Sequence, residues 1–301
     1  MAVALDERPS GRAGSWRLGI PFVGVHLACL AVFLVGWSPV ALAVALGLYL
    51  VRAFGITGFY HRYFSHQAFR TSRPVQFMGA VLGAAAAQRG PLWWVAHHRV
   101  HHRYTDREGD PHSPVVSSKP YSHVLWIFAP DNQATKLDMV PDLAVFPELR
   151  FLDRFHHLVP IATAVSTFGL GALLAWADPG MHTSAWQMFV WGFAISTVAL
   201  YHSTFAVNSV AHRFGKRRYD TRDDSRNNWL VSLLVLGEGW HNNHHRYPMS
   251  ARQGFSRWEF DPTWLGIRLL AALGLARDLR PVPAHVMAVA RPPSSRAAAG
   301  N

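Results

Sequence analysis

Apolar residues along this chain gather into a few long blocks, and polar residues gather between them. A helix needs roughly 20 apolar residues to cross the hydrocarbon core of a bilayer. Four stretches come close: 18–37, 40–57, 158–177 and 186–207. They are expected to form two hairpins, because "SPV" joins the first pair and "DPGMHTSA" the second. The block "PVQFMGAVLGAAAAQRGPLWW" (74–94) is also apolar but Ala-rich, and Gln88, Arg89 and Pro91 interrupt it. It predicts a helix at the membrane interface rather than a further span.

Composition agrees with that pattern. Half of the 301 residues are hydrophobic and only 16% are charged, yet the net charge is +11, so an apolar body must coexist with basic segments. Of the 29 Lys and Arg, three precede residue 18, twelve lie between 51 and 157, and fourteen follow 207, while both hairpin tips have none. The positive-inside rule then places the N-terminal segment 1–17, the middle section and the C-terminal section in the cytoplasm. A nucleic-acid partner, the other reading of a basic chain, does not call for four apolar spans. No linker or repeat divides residues 18–280, which read as one domain, and the Pro-, Ser- and Ala-rich end of 281–301 reads as a disordered tail. The first apolar run is too long for a signal sequence. Cys29 is the only cysteine, so any metal must be held by nitrogen or oxygen.

The 18 histidines supply the chemistry. Three clusters sit beside expected span ends: His61 and His66 in "HRYFSH", His97, His98, His101 and His102 in "HHRVHH", and His241, His244 and His245 in "HNNHH". Helical residues at i, i+3 and i+4 share a face, so His98, His101 and His102 are expected to meet at one locus and His241, His244 and His245 at another. Two such triads suggest a two-metal site. His61 and His66 are five apart, about 140° on an ideal helix, which predicts either service to different ions or a helix end that unwinds between them. "NSVAH" adds Asn208 and His212. Imidazole suits Zn, Cu, Fe and Ni, but so many ligands exceed the four of one zinc site. The carboxylates Asp106, Glu108, Asp110 and Glu238 are candidates to accept the second N–H of ligating imidazoles. The remaining histidines, including His26, His123 and His202, read as packed or hydrogen-bonded side chains, and His97 and His112 as supporting or surface groups.

The ordered set of boxes, with "NSVAH" at 208–212 and "GEGWHNNHH" at 237–245, resembles the membrane fatty acyl desaturases, particularly their acyl-CoA delta-9 branch, over roughly residues 15–260. The resemblance implies an all-α membrane protein with four transmembrane helices and a cytoplasmic helical cap. It further implies two irons held by His61, His66, His98, His101, His102, His212, His241, His244 and His245, with Asn208 acting through water. The implied reaction consumes O2 and two electrons and leaves a cis double bond in a saturated acyl chain; Gln88 and Trp94 take positions along that chain. Animal acyl-CoA members carry an Arg-Asp pair before the second box where this chain has Ala96 and His97, so the carrier stays open among CoA, acyl carrier protein and lipid. A separate electron donor, ferredoxin or a cytochrome b5-like protein with its reductase, is expected. Related hydroxylases and ketolases share the boxes, and a histidine-rich metal transporter is the alternative outside enzymes.

Overall fold

The computed structural model describes residues 15–288, and the fold is mostly helical. Among the described residues, three helices are long and apolar enough to cross a membrane: Pro39–Ser65, Leu158–Ala177 and Ala185–Ser209. The first expected span is different. It is a helix over Ser15–Cys29, a turn at residues 30–31 and a further turn of helix over Val32–Val35, so its apolar helical stretch, Gly19–Val35, is shorter than the others. Expected segment 1–17 falls almost wholly outside the described residues, as does 289–301. Within the expected tail, however, Ala284–Ala288 forms a short helix whose Val286 packs with Tyr219 and Phe255, because those rings leave an apolar seat for it.

The helix over 39–65 runs eight residues beyond its expected end at 57. Ser38 caps it, its Oγ accepting from the Ala41 N–H. The same hydroxyl donates to Gln187 at 2.7 Å, and Gln187 in turn donates to the Val35 carbonyl at 3.0 Å. Gly36 accepts from the Trp191 indole at 2.8 Å. The turn after the first helix is thereby pinned to the start of Ala185–Ser209.

From Gly55 the backbone widens into a π-helix that ends at Ser65. Helix Arg73–Ala84 crosses it at very short range, and glycine is what permits the approach. A Cβ on Gly79 would lie 1.9 Å from the Phe59 ring, and one on Gly83 2.1 Å from the Tyr60 ring. The chain then breaks where Gln88–Pro91 predicted, with Ala87 and Arg89 at positive φ, before helix Pro91–Tyr104 carries the second histidine box. Two-residue strands β1 (Arg70–Thr71) and β2 (Ala276–Arg277) pair antiparallel and tie the C-terminal section to this layer.

Arg52 is a charge inside the 39–65 helix. It is fully buried without a carboxylate partner among the described residues, and its guanidinium donates to Leu48 O at 3.1 Å, to Ala85 O at 3.5 Å at the end of helix Arg73–Ala84, to Thr197 Oγ1 at 2.7 Å and to Ser196 Oγ. Buried polar groups in such a setting need every donor satisfied, and three elements contribute.

Substituting Gly79→Ala should overpack the crossing and cost about 1–3 kcal/mol, seen as a lower midpoint in thermal unfolding of the purified protein; an unchanged midpoint would mean that the two helices separate freely.

Candidate metal centre

The histidines converge on two groups. His61, His66, His98, His102 and His244 form one, and His101, His212, His241 and His245 the other; within each group the candidate ligand atoms lie within 4.8 Å of one another. Helix Pro91–Tyr104 presents His98 and His102 to the first group and His101 to the second. Helix His241–Arg246 does the converse, with His244 in the first and His241 and His245 in the second. The two expected triads are therefore divided: residues i and i+4 stay together while the i+3 residue between them turns to the neighbouring group, so each helix bridges both.

His61 and His66 also depart from one of the two expectations. They share one group instead of serving different ions. The π-helix explains it, since its wider turn closes i to i+5: the His66 N–H donates to the His61 carbonyl at 3.3 Å, which brings the two rings within 4.9 Å. Unwinding at a helix end, the other expectation, is also present, because His66 is the residue just past Ser65.

Ring nitrogens face one another at the centre of each group. Nε2···Nε2 separations are 3.1 Å for His61–His244, 2.8 Å for His66–His98 and 3.0 Å for His244–His102. In the second group they are 2.9 Å for His212–His241 and 3.0 Å for His245–His241. Carboxylates behind the rings define which nitrogen carries the proton. Nδ1 of His212 donates to Asp106 at 2.9 Å, that of His245 to Asp223 at 3.1 Å, that of His101 to Asp110 at 3.0 Å, and that of His61 to Glu238. With Nδ1 protonated, Nε2 of neutral His212 and His245 presents a bare lone pair, and both point at the single Nε2 of His241. One proton on His241 cannot satisfy both contacts, whereas a cation between the three would.

The separations also bear on which geometry fits. At a metal–nitrogen distance of about 2.1 Å, neighbouring ligands are about 3.0 Å apart if they meet the metal at right angles and about 3.4 Å apart in a tetrahedron. The observed 2.8–3.1 Å matches the right-angle case. A five- or six-coordinate transition metal with imidazole ligands fits these residues better than tetrahedral zinc.

Protonation is tuned in the same direction. Burial, reinforced by the neighbouring imidazoles, holds His66, His98, His102, His241 and His244 well below the usual histidine range. His245 is lowered by burial to about 4 even though Asp223 opposes the shift. Asp106 is raised by burial, but its bonds to His212 and Ser113 outweigh this and bring it to about 2. These six rings are thereby held as neutral imidazoles, the state in which nitrogen ligates a cation, whereas Asp110 outweighs burial at His101 and raises it.

Sequence reading found part of this shell. Asp106, Asp110 and Glu238 all hold a group histidine, whereas Glu108 is exposed and holds none. Asp223 was missed, since it lies 22 residues before its partner His245 with no local motif to link them. Also missed was the strut behind Glu238: Arg62, fully buried, bonds Glu238 at 3.0 Å and Asp261 at 3.0 Å. Gln253 Nε2 completes it, lying 3.1 Å from Glu238 and 3.3 Å from His244 Nδ1. Asn208 is half-buried, and its side chain makes no hydrogen bond to another described residue. His112 stacks on His101 at 4.4 Å, and His97 donates its Nδ1–H to the Trp93 carbonyl at 2.8 Å, within the wall beside the second group.

Trp94, whose ring stacks on His98 of the first group, lines an apolar cavity of about 720 Å³. Gln88 lines it as well. Trp94 stacks on His98 at 5.1 Å, and Gln88 is steadied by a 2.9 Å bond to Thr204. The far walls come from Phe22, Tyr201 and Phe205, whose rings stack in sequence. Behind that wall His26, His202 and His123 form a hydrogen-bonded chain that ends on Ser209.

A helical body with three bilayer-length helices, a paired polyhistidine centre suited to a metal and an apolar cavity beside it is the architecture of a membrane protein. The family follows from comparison. The fatty acid desaturase model matches residues 35–275, and the chain belongs to that family of oxidoreductases. It is 40% identical over 268 residues to an acyl-CoA 5-desaturase of Anemone leveillei, covering 87% of this chain and 78% of that one. It is 37% identical over 285 residues to an sn-1 stearoyl-lipid 9-desaturase of Anabaena variabilis (93% and 98%), and 39% identical over 258 residues to a chloroplastic palmitoyl-monogalactosyldiacylglycerol delta-7 desaturase of Arabidopsis thaliana (84% and 65%).

Removing a carboxylate from behind a ligand typically costs 10–100-fold in metal affinity. Asp106→Ala and Asp223→Ala should each lower bound transition metal by elemental analysis after dialysis against a chelator, while Glu148→Ala, at the surface salt bridge with Arg73, should not.

Proposed function

We propose that this protein is a multi-pass membrane desaturase that binds two iron ions and uses O2 to place a cis double bond, at delta-9, in a saturated acyl chain. Its four membrane helices form two hairpins, and the distribution of Lys and Arg puts both termini and the histidine centre in the cytoplasm. The observation that carries the reading is the apolar cavity lined by Trp94, the ring that stacks on His98 of the five-histidine group.

Five imidazoles (His61, His66, His98, His102, His244) hold one iron, and four (His101, His212, His241, His245) hold the other. Asn208, whose amide has no described hydrogen-bond partner, assists the second through water. The iron pair supplies O2 activation when bound. Everything else falls to the chain's own residues. Asp106, Asp110, Asp223 and Glu238 fix the rings and keep Nδ1 protonated. Trp93, Trp94 and the aromatic wall at Phe22, Tyr201 and Phe205 exclude water and confine the alkyl chain, so that one pair of methylenes comes near the metals. In balance, R–CH2–CH2–R′, O2, two electrons and two protons give R–CH=CH–R′ and two waters.

Delta-9 follows the 9-desaturase relative whose length this chain covers almost completely, although relatives acting at delta-5 and delta-7 match comparably. The carrier is CoA, acyl carrier protein or an intact lipid.

Expression in a desaturase-deficient host should produce a monounsaturated acid whose double bond mass spectrometry locates at delta-9. With His101→Ala the product should fall at least about 100-fold, as expected when one of the ligands that hold the metal pair is lost. Hydroxylated acids instead would turn the reading to oxygen insertion, and a double bond elsewhere would overturn delta-9 alone.

A further inference from the structure

Beside the two histidine groups, and apart from the apolar cavity, a second cavity of about 470 Å³ opens to solvent. His102 and His245, one from each group, line it. Their rings stack at 4.7 Å and 21°, so the cavity touches both groups through one stacked pair, with the His245 ring itself almost fully covered.

Four arginines line the opening: Arg103, Arg107, Arg222 and Arg246. Arg103, Arg107 and Arg222 are exposed, and their guanidinium groups have no ion pair or hydrogen bond to another described residue. Arg246 is half-buried with its Nε unbonded. The carboxylates in the same wall are engaged elsewhere, Asp223 by His245 and Asp220 by Arg217. Unpaired like charges cost free energy through mutual repulsion, and such a concentrated positive rim raises the local concentration of an anionic partner. The apolar cavity lined by Trp94 has only Arg89 among its charged lining side chains, so it offers no such rim.

We infer that this arginine-rimmed opening is where a small acidic electron-transfer protein docks, and that electrons enter the centre through His102 and His245. The inference rests on the desaturase reading for its need of electrons. Each encounter oxidises the reduced carrier by one electron and reduces the metal pair by one; two encounters supply the two electrons that, with two protons, the reaction draws along with O2.

The test uses the full-length, metal-loaded protein and two acidic probes, a plant-type [2Fe–2S] ferredoxin and the soluble haem domain of cytochrome b5. At least one should bind at low ionic strength and bind at least about tenfold more weakly at about 0.5 M salt, where the screening length falls to a few ångströms. The triple variant R103E/R107E/R222E should retain its metal and weaken that binding at least tenfold. Product formation driven by dithionite should be the same in both proteins. The inference is overturned if neither probe binds the wild-type protein, or if the variant binds like wild type. It is also overturned if the variant keeps probe binding but loses affinity for acyl-CoA, which would give the arginines to the acyl carrier. Absence of desaturated product with dithionite, alongside charge-dependent probe binding, would sink the desaturase reading and leave the docking surface standing.

Discussion

Lone pairs directed at one another from 2.8 to 3.1 Å are the constraint around which the molecule is organised. Neutral imidazoles do not gather in this way unaided, because each Nε2 left bare by a protonated Nδ1 repels the next. The carboxylates set that state. Asp106, Asp110, Asp223 and Glu238 stand on the outer side of four rings, accept the hydrogen bond from Nδ1–H and leave the inner nitrogens bare. A cation at each locus would convert the repulsion into coordination and would couple metal binding to folding in this region.

Holding that arrangement requires stiff backing. Arg62 joins Glu238 to Asp261, so the first histidine box, the start of the third and helix Pro262–Ala272 move as one unit. Asn227, Asn242 and Asn243 knit the third box to the preceding loop, with Asn227 accepting from the backbone of both later asparagines. The close crossing of residues 55–65 with helix Arg73–Ala84 sets the depth of His61 and His66 relative to the second box. The bulged π-turn costs regular helical bonding and in return aligns two histidines that an α-helix would turn apart.

The centre is approached from two chemically opposite directions. On one side is an apolar space walled by aromatic rings and closed at Trp94; on the other is a polar opening rimmed by arginine. An alkyl chain has no affinity for the second and an anionic protein none for the first. The histidine chain His26–His202–His123 stiffens the apolar wall from behind, which explains polar side chains at positions that otherwise face the bilayer.

The sequence by itself determined the apolar blocks, the break at Gln88–Pro91, the histidines that gather and three of the four carboxylates behind them. Those signals are local: hydropathy runs over a span length, and the three carboxylates lie near a histidine box in sequence, although only Asp110 bonds a histidine of the box it follows, while Asp106 bonds His212 and Glu238 bonds His61. Only the tertiary structure decided how the histidines divide. Helical spacing brings i, i+3 and i+4 to one face, but a face is wide enough to serve two loci, and which ring turns to which depends on the helix opposite. It also decided the sharing of one group by His61 and His66, because the π-turn arises from the packing of residues 55–65 against a glycine-lined neighbour. Asp223, Arg62 and Gln253 belong to the same class: none sits in a histidine box pattern that marks it as a support, and each meets its partner only through the folded chain.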